Sequence, residues 1–291
     1  MTIEHACAHS LSKPWGVVDT RPWTSAGDAG SDSIGEVWYE RSDCADANPS
    51  LLLKLLFTNQ PLSIQVHPDD AYAQSIGLLN GKAEAWYVLS AAPGAKVALG
   101  LKYRVTPEQL RHAIGDGSIS ELVAWQEVHS GDTISVSAGT IHAIGAGLVI
   151  AEIQQRSDTT FRLFDHGRGR ELHVENAIAI ADAGPANPRV APKRLSETRT
   201  LLTSNPHFIF ERIELAPNSK WCLEANQETW LLVVRGSASA GPFDLTIGDG
   251  VFAQADRVNL SAGSTGVAAL VAYTGGLVSD LLMRNHLETT L

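Results

Sequence analysis

Glu84-Ala-Trp-Tyr-Val-Leu89 returns later in the chain as Glu228-Thr-Trp-Leu-Leu-Val233. Each copy is followed by a Gly-Asp pair, Gly131-Asp132 after the first and Gly248-Asp249 after the second. Short apolar runs that are rich in aromatic and β-branched residues and end at Gly, Asn, Asp or Pro are typical of β-strands. The repeated motif therefore predicts an all-β protein made of two degenerate copies of one unit.

The same punctuation recurs along most of the sequence, so the strand prediction extends well beyond the repeated motif. The clearest predicted strands are Leu51–Leu56, Ala85–Leu89, Thr133–Val136, Leu148–Ile153 and Trp230–Val234.

One segment departs from this pattern and predicts helix. Thr106 is an N-cap residue, Pro107 suits the first helical position, and Gln109 completes a capping box. An apolar stripe then begins at Leu110. We expect a helix or helix pair over about 106–125, inserted into the first copy, because the interval between the Glu and the Gly-Asp pair is longer there.

A proline-rich stretch over residues 181–200 has little apolar periodicity, as an exposed connector would. It predicts a domain boundary, with one domain over residues 1–185 and a second over residues 200–291.

Composition limits the classes of partner. With 44% hydrophobic residues in 291, the chain has ample material for a buried core. Its 32 Asp and Glu outnumber its 22 Lys and Arg, so the surface field repels nucleic acid and anionic membranes. A phosphate-bearing ligand therefore requires a local cationic pocket.

The expected compartment is the cytoplasm. The amino-terminal stretch lacks the basic start and apolar run of a signal peptide, and no later run approaches the ~18 apolar residues of a membrane span. Cys7, Cys44 and Cys222 are widely spaced, which favours reduced thiols over a disulfide framework or a metal site. The sequence leaves the oligomeric state open.

Four residues in strand contexts offer ligands for a metal. Gln65 and His67 alternate in one predicted strand and share a face, Glu84 begins an aromatic strand, and His142 follows a glycine-containing turn. One amide oxygen, two imidazoles and one carboxylate suit a borderline divalent metal such as Zn²⁺. Taken singly, a residue such as a lone histidine is better explained as a hydrogen-bonded strand or surface position, and it is the occurrence of four in strand contexts that favours a metal site.

The motifs around these residues resemble those of the type I phosphomannose isomerases. The resemblance covers about the first 177 residues, and the remainder only in architecture. It rests on Pro61-Leu-Ser-Ile-Gln65-Val-His67-Pro-Asp-Asp70, Gly81-Lys-Ala-Glu84-Ala-Trp-Tyr87, Ala138-Gly-Thr-Ile-His142, Glu152-Ile-Gln-Gln-Arg-Ser-Asp158-Thr-Thr-Phe-Arg162 and Arg170-Glu-Leu-His173, and more weakly on Lys13-Pro-Trp-Gly16 and Ile34-Gly-Glu-Val-Trp38.

This resemblance implies two tandem cupin (jelly-roll) β-barrels, the second free of metal, and one Zn²⁺ per chain in the first. It implies an enzyme that interconverts mannose 6-phosphate and fructose 6-phosphate through a cis-enediol. The residues that fall on the family's zinc ligands are Gln65, His67, Glu84 and His142. Those that fall on or near its other pocket residues are Arg162, Lys54, Ser63, Lys82, Glu152, Asp158 and Arg168.

Roles within that pocket follow from the chemistry of moving a carbonyl between C1 and C2. Glu152 and Asp158 are candidate bases, and Lys82 and Lys54 are candidate proton shuttles between the two oxygens. Arg162 is the expected anion stabiliser, because its planar guanidinium suits phosphate or an enediolate. Substrate contacts are expected from Ser63, Lys54 and Arg168, although Arg168 and Arg170 also fit solvated loop cations.

Two other functions are compatible with the sequence. A non-catalytic sugar-phosphate-binding cupin would keep the pocket without the chemistry. A metal-dependent cupin oxygenase is less favoured, because a glutamine oxygen in place of a third histidine or a carboxylate is unusual for an iron site.

Overall fold

The computed structural model describes residues 2–24, 33–42 and 48–284. The strands are β1 Thr2–His5, β2 Cys7–Val17, β3 Ile34–Glu40, β4 Leu51–Thr58, β5 Ile64–Val66, β6 Glu84–Ala91, β7 Lys96–Leu101, β8 Val123–Glu127, β9 Thr133–Val136, β10 His142–Ile144, β11 Leu148–Gln155, β12 Phe161–Phe164, β13 Lys193–Arg194, β14 Arg199–Ser204, β15 Phe208–Leu215, β16 Lys220–Ala225, β17 Thr229–Ala240, β18 Phe243–Leu245, β19 Gly250–Gln254, β20 Asp256–Thr274 and β21 Leu282–Arg284. The helices are α1 Asp70–Ser75, α2 Pro107–Asp116, α3 Ile119–Leu122 and α4 Val174–Ile180.

These strands form three sheets, and their ladders are antiparallel. The helix-side sheet has the order β12-β5-β10-β7-β8, and the central sheet has the order β2-β3-β4-β11-β6-β9. The terminal sheet contains ten strands, with β1-β19-β17-β20-β15-β14-β13 as its main path. The predicted predominance of strands is confirmed, including all five of the clearest predicted strands.

The central sheet is buried on both faces, because it lies between the other two. All eight residues of β4 are buried. Its odd-numbered residues, such as Leu53 and Leu55, pack in a core shared with Phe208 and Trp230 of the terminal sheet. Its even-numbered residues point the other way, where Leu56 joins a second core against the helix-side sheet. This alternation gives one strand two different apolar faces.

The helices cover the outer face of the helix-side sheet. The predicted capping box of α2 is present, with Thr106 Oγ1 accepting from the Gln109 N–H and Gln109 Oε1 accepting from the Thr106 N–H. The helical insertion consists of α2 and α3, and β8 begins at Val123, before the predicted end at about 125. Two further short helices, α1 and α4, carried no sequence prediction.

The first strand joins a different sheet from its neighbours in sequence. Thr2–His5 pairs with β19 of the terminal sheet, in register from Thr2 opposite Gln254 to His5 opposite Val251. The next strand, β2, pairs with β3 in the central sheet. The predicted division at residues 185–200 assigned residues 2–5 to the first domain, whereas their partners lie in the terminal sheet.

No described helix combines the length and the apolar composition needed to cross a bilayer. Cys7 and Cys222 are free thiols, and Cys44 lies outside the described residues.

Candidate active site

The candidate ligands come together because three short strands run side by side. Strand β5 carries Gln65 and leads directly into His67. In the neighbouring strands, His142 of β10 and Arg162 of β12 both lie opposite Gln65. Residues opposite each other in an antiparallel ladder are close neighbours on one face, so this register places two ligands and a cation at one point of the helix-side sheet.

Both histidines are held by backbone carbonyl oxygens. The Nδ1 atom of His67 lies 2.9 Å from the carbonyl oxygen of Thr159, and that of His142 lies 2.9 Å from the carbonyl oxygen of Thr140. A ring whose Nδ1 donates a proton keeps a lone pair on Nε2. Each imidazole therefore presents Nε2 as a ligand atom.

Glu84 completes a cluster at the start of β6. Its carboxylate oxygens lie 3.5 Å from His67 Nε2 and 3.3 Å from His142 Nε2. All three side chains are buried, and their ligand atoms lie within 4.8 Å of one another. Burial and the nearby Lys82 lower the pKa of His67 to about 3, and burial lowers that of His142 as well. Both rings are therefore neutral at pH 7.

The residues present fit a divalent metal ion. His67 Nε2 is buried and makes no hydrogen bond to any residue in the described part of the chain. An unsatisfied buried imidazole nitrogen beside an ionised carboxylate is costly unless a cation lies between them. Two imidazoles and a carboxylate are also ligand types that Zn²⁺ prefers.

Gln65 lies beside this cluster as predicted. Its Nε2 is 3.2 Å from His142 Nε2, and its Oε1 accepts a hydrogen bond of 3.0 Å from Ser63 Oγ. A half-turn of the amide places the oxygen on the side of the histidines, where it would act as a ligand. Ser63 lines the same cavity, in agreement with the alternation of strand residues.

The central sheet contributes three buried charged groups. Lys54 of β4 lies opposite Glu152 of β11, and Lys82 lies two residues before Glu84, the first residue of β6. The ammonium of Lys82 lies 3.0 Å from Glu84 Oε2 and 3.7 Å from Glu152 Oε1. The ammonium of Lys54 lies 4.2 Å from the centre of the Trp38 ring. The three groups line one cavity with Gln65 and Glu84.

Burial changes the acidity of these groups in different directions. Burial and the charge of Glu84 raise the pKa of Glu152 to about 8, the direction predicted from its apolar strand. Burial and the charge of Lys82 lower the pKa of Lys54. Although burial opposes it, the carboxylates of Glu84 and Glu152 raise the pKa of Lys82. Lys54 is therefore the more readily deprotonated lysine.

Asp158 and Arg162 stand at the mouth of the same cavity. The Asp158 side chain is 68% exposed and lies 3.8 Å from Lys54 Nζ. Arg162 lines the cavity, and its Nε is buried without a hydrogen-bond partner among the described residues. Burial and the neighbouring Arg170 lower the pKa of Arg162. A cationic guanidinium with a free donor in a cavity is well suited to an anionic ligand.

Arg168 is directed elsewhere. Its guanidinium donates to the carbonyl oxygen of Pro61 at 2.6 Å and lies 3.5 Å from an oxygen of Asp165, and it is absent from the residues lining the cavity. Arg170 lines the cavity instead, stacked on the ring of Trp15 at 5.0 Å.

Lys13, Trp15 and Glu36 also line the cavity, and they were not singled out from the sequence as site residues. A signal for them existed, because Lys13-Pro-Trp-Gly16 and Ile34-Gly-Glu-Val-Trp38 belong to the weaker motifs of the family resemblance.

The counterpart of Glu84 in the second copy has a different role. Glu228 accepts hydrogen bonds from the backbone N–H of Ser50 at 2.6 Å and of Leu51 at 2.8 Å, and from Trp230 Nε1 at 3.1 Å. It thereby joins the terminal sheet to the start of β4. Within the described ranges, His67, Glu84 and His142 form the one cluster of His, Cys, Asp and Glu residues that could hold a metal.

Comparison of sequences finds curated relatives. The chain is 39% identical over 208 residues to a mannose-6-phosphate isomerase of Streptococcus mutans, an alignment that covers 68% of this chain and 63% of the relative. It is 38% identical over 162 residues to a mannose-6-phosphate isomerase of Bacillus subtilis, with 53% of this chain and 50% of the relative covered. The chain thus spans between half and two thirds of these relatives' length. No family profile matches it.

Comparison of structures finds the same fold. The crystal structure of a mannose-6-phosphate isomerase from Bacillus subtilis matches with a TM-score of 0.79 at 23% identity, covering 94% of this chain and 100% of that one. A variant phosphomannose isomerase from Salmonella typhimurium matches with a TM-score of 0.75 at 16% identity over the same shares. The chain is thus a homologue of curated mannose-6-phosphate isomerases, and the resemblance of its sequence to the type I phosphomannose isomerases is confirmed.

Proposed function

We propose that this protein is a zinc-dependent isomerase that interconverts mannose 6-phosphate and fructose 6-phosphate. The observation that carries the proposal is the convergence of His67, Glu84 and His142 next to a buried set of proton-transfer groups, Lys82, Glu152 and Lys54. The names of the curated relatives agree with it.

The proposed ligands are Gln65, His67, Glu84 and His142, with one Zn²⁺ per chain. A bound Zn²⁺ supplies positive charge that stabilises an enediolate without redox side reactions. The protein's part is to present four ligand atoms from two sheets, Glu84 from the central sheet and the other three from the helix-side sheet and its edge. The Nδ1 contacts of the two histidines orient the rings, and Lys82 keeps Glu84 ionised.

Glu152 is the better of the two candidate bases. It is buried beside the metal ligands, and a carboxyl with a pKa of about 8 is matched to proton abstraction near neutral pH. The exposed Asp158 lies at the mouth, on the far side of Lys54. We assign to Glu152 the transfer of the proton between C1 and C2 of a cis-enediol, and to Asp158 the fixing of Lys54.

Lys54 and Lys82 have different proposed roles, one in proton transfer and the other in electrostatic stabilisation. Lys54 has a lowered pKa and can pass a proton between the two sugar oxygens. Lys82 has a raised pKa and stays protonated, so its role is to hold Glu84 and Glu152 in place and to oppose negative charge. This division distinguishes two lysines that the sequence left equivalent.

The 6-phosphate is assigned to the cationic mouth of the cavity. Arg162, Arg170 and Lys13 supply positive charge there, and Ser63 supplies a hydroxyl donor. The chain as a whole carries a formal charge of −10, so this local cluster is needed for an anionic sugar to bind. Arg170 is also bonded to Asp165 but lines the cavity, whereas Arg168 does not line it and contributes indirectly through its bond to Pro61.

We further propose that the central and helix-side sheets form a first cupin barrel and the terminal sheet a second, metal-free one. The supporting observation is that the repeated motifs occupy equivalent places. Glu84 lies at the start of β6 and Glu228 immediately before β17, and the Gly-Asp pairs precede β9 and β19.

A coupled assay tests the function. Mannose 6-phosphate is supplied, fructose 6-phosphate is measured, and the assay is repeated after chelation and after Zn²⁺ is restored. We expect turnover that chelation abolishes and zinc recovers, with about one Zn²⁺ per chain by elemental analysis. Free mannose serves as the second substrate and should react poorly. Ligand binding without turnover would point to a sugar-phosphate sensor, and oxygen uptake would point to an oxygenase.

A further inference from the structure

The segment 81–84, which leads into β6, carries two charged side chains of the candidate site, Lys82 and Glu84. Lys82 and Glu84 lie at the junction between the loop after α1 and the first residue of β6. The backbone N–H groups of Gly81 and Ala83 are both bound by side chains. Gly81 donates to Asp70 Oδ1 at 2.8 Å, and Ala83 donates to Gln155 Oε1 at 2.9 Å.

The two acceptors are bonded to each other. Gln155 Nε2 donates to Asp70 Oδ1 at 2.9 Å, so Asp70 accepts from the segment and from Gln155 with one oxygen atom. Gln155 also pairs through its backbone, because its N–H donates to the carbonyl oxygen of Ala83 at 3.0 Å. Gln155 is 6% exposed and its bond with the Ala83 N–H is buried, whereas the Asp70 side chain is 43% exposed.

The opposite side of the segment lies directly against the residues that follow His67. The Lys82 N–H donates to the carbonyl oxygen of Pro68 at 2.9 Å. A Cβ atom at Gly81 would lie 2.4 Å from the carbonyl carbon of Asp69, so only glycine allows this approach. The segment is therefore fixed from two directions, and any loss of the Asp70–Gln155 pair frees one of them.

We propose that Asp70 and Gln155 act as a positioning pair that sets the direction of Lys82 and Glu84. The pair joins the end of β11, which carries Glu152, to the turn after His67 and to the segment 81–84. Outer hydrogen bonds of this kind commonly decide how well a metal ligand is oriented. The effect expected on kcat rests on the proposed function. The effect expected on zinc affinity can be measured whether or not the protein turns over substrate.

The experiment compares Gln155→Met, Asp70→Ala and Asp70→Asn with the unaltered chain. Methionine has a similar length but no acceptor for Ala83, and alanine has none for Gly81, whereas asparagine keeps an oxygen for both bonds. Zinc affinity is measured by competition with a chromophoric chelator. We expect Gln155→Met and Asp70→Ala to weaken it by about 10- to 100-fold, the range typical of outer-shell changes, with Asp70→Asn recovering most of the loss.

With zinc at saturation, kcat should fall in the same order while KM changes little, because the substrate-binding mouth is untouched. The double variant Asp70→Ala/Gln155→Met should be little worse than the more severe single change, since both remove support from one segment. Val258→Ala serves as the control. Val258 is buried in the terminal sheet far from the segment, so this variant should lower Tm without changing zinc affinity.

Zinc affinity that is unchanged in Gln155→Met, with a Tm loss like that of Val258→Ala, would show that the pair is structural only. Equal losses in Asp70→Asn and Asp70→Ala would likewise overturn the proposed bonding. If the unaltered chain binds zinc but does not isomerise mannose 6-phosphate, the proposed function fails. The ranking of zinc affinities would still decide the role of the pair.

Discussion

Two backbone contacts fix the orientation of the buried imidazole rings of His67 and His142. Because Thr159 and Thr140 accept from the Nδ1 atoms, neither ring can turn its Nε2 away from Glu84 without losing a buried hydrogen bond. The orientation of the two proposed ligands is thus specified by backbone carbonyl oxygens, which any residue type supplies. Sequence motifs identify the imidazoles, but only the fold shows what orients them.

Substitution of Arg162 can show whether its guanidinium mainly binds the substrate or mainly stabilises the transition state. Arg162→Lys keeps the positive charge but loses the planar pair of donors, so kcat should fall by on the order of 10²-fold. KM should change much less, and metal content should be unchanged. Steady-state kinetics and elemental analysis check this, with the exposed Arg111→Lys on α2 as the control. A steep rise in KM at constant kcat would instead make Arg162 a phosphate anchor.

The proposed role of Glu152 as a base leads to a prediction for the pH dependence of kcat/KM. A base must be deprotonated, so kcat/KM should fall as pH falls through the pKa of Glu152. That pKa is about 8 instead of the ordinary 4.5, partly because of the charge of Glu84, and a cation bound to Glu84 would offset that part. The acidic limb should therefore lie between 4.5 and about 8. The pH profile of the zinc-loaded enzyme measures it, and the same limb in residual Glu152→Gln activity would contradict the assignment.

Among the elements, the central sheet is the one that carries most of the proposed proton-transfer groups. Its inner face presents Lys54, Glu84 and Glu152 from three adjacent strands, while its outer face packs on the terminal sheet. Burial in this sheet and the charges that the buried groups exert on one another together change the pKa values of Lys54 and Glu152. The central sheet is therefore both a core layer and the wall of the cavity.

The contact between Glu228 and the start of β4 leads to a prediction about stability. Glu228→Ala should leave metal content and activity intact, but it removes the acceptor for the N–H groups of Ser50 and Leu51. We expect the free energy of unfolding to fall by at least about 2 kcal/mol, since buried donors are left unsatisfied. Denaturant unfolding measures this. Glu84→Ala is the matched change in the first copy and should lose metal and activity.

Elements with strong local signals could be predicted, and those fixed by distant contacts could not. The capping box of α2 and the apolar run of β4 are local, and both were found in the sequence. The short α1 follows an Asp69 N-cap but lacks an apolar stripe long enough to indicate a helix. The partner of β1 lies near the other end of the sequence, where no local pattern can identify it.

The candidate site follows the same rule. Gln65 on β5 and Ser63, one residue before that strand begins, could be placed by alternation. Arg168 and Arg170 lie in a loop where Gly167 and Gly169 both have positive φ, at 77° and 75°. Such a backbone reverses direction within a few residues, so spacing cannot tell which arginine faces the cavity. In the structure Arg170 lines the cavity and Arg168 does not.

At the scale of the whole molecule, the core shared by the central and terminal sheets predicts that the two unfold together in one cooperative transition. The outer face of the central sheet contributes Val37, Leu55, Phe57 and Tyr87 to a core that the terminal sheet completes. Each buried side chain of this size contributes about 1.5–3 kcal/mol. Calorimetry should therefore show a single unfolding transition for the full chain, and a chain cut after residue 198 should aggregate. Two separate transitions would show that the halves fold independently.

The pairing of β1 with β19 also bears on synthesis at the ribosome. Thr2–His5 leaves the ribosome long before its partner Gly250–Gln254 has been made. At about 5–20 residues per second, the strand waits for roughly 12–50 s with its backbone unpaired. The nascent chain must also shield the outer face of the central sheet during that interval. A chaperone that binds extended apolar segments should therefore engage this chain until Gly250–Gln254 emerges.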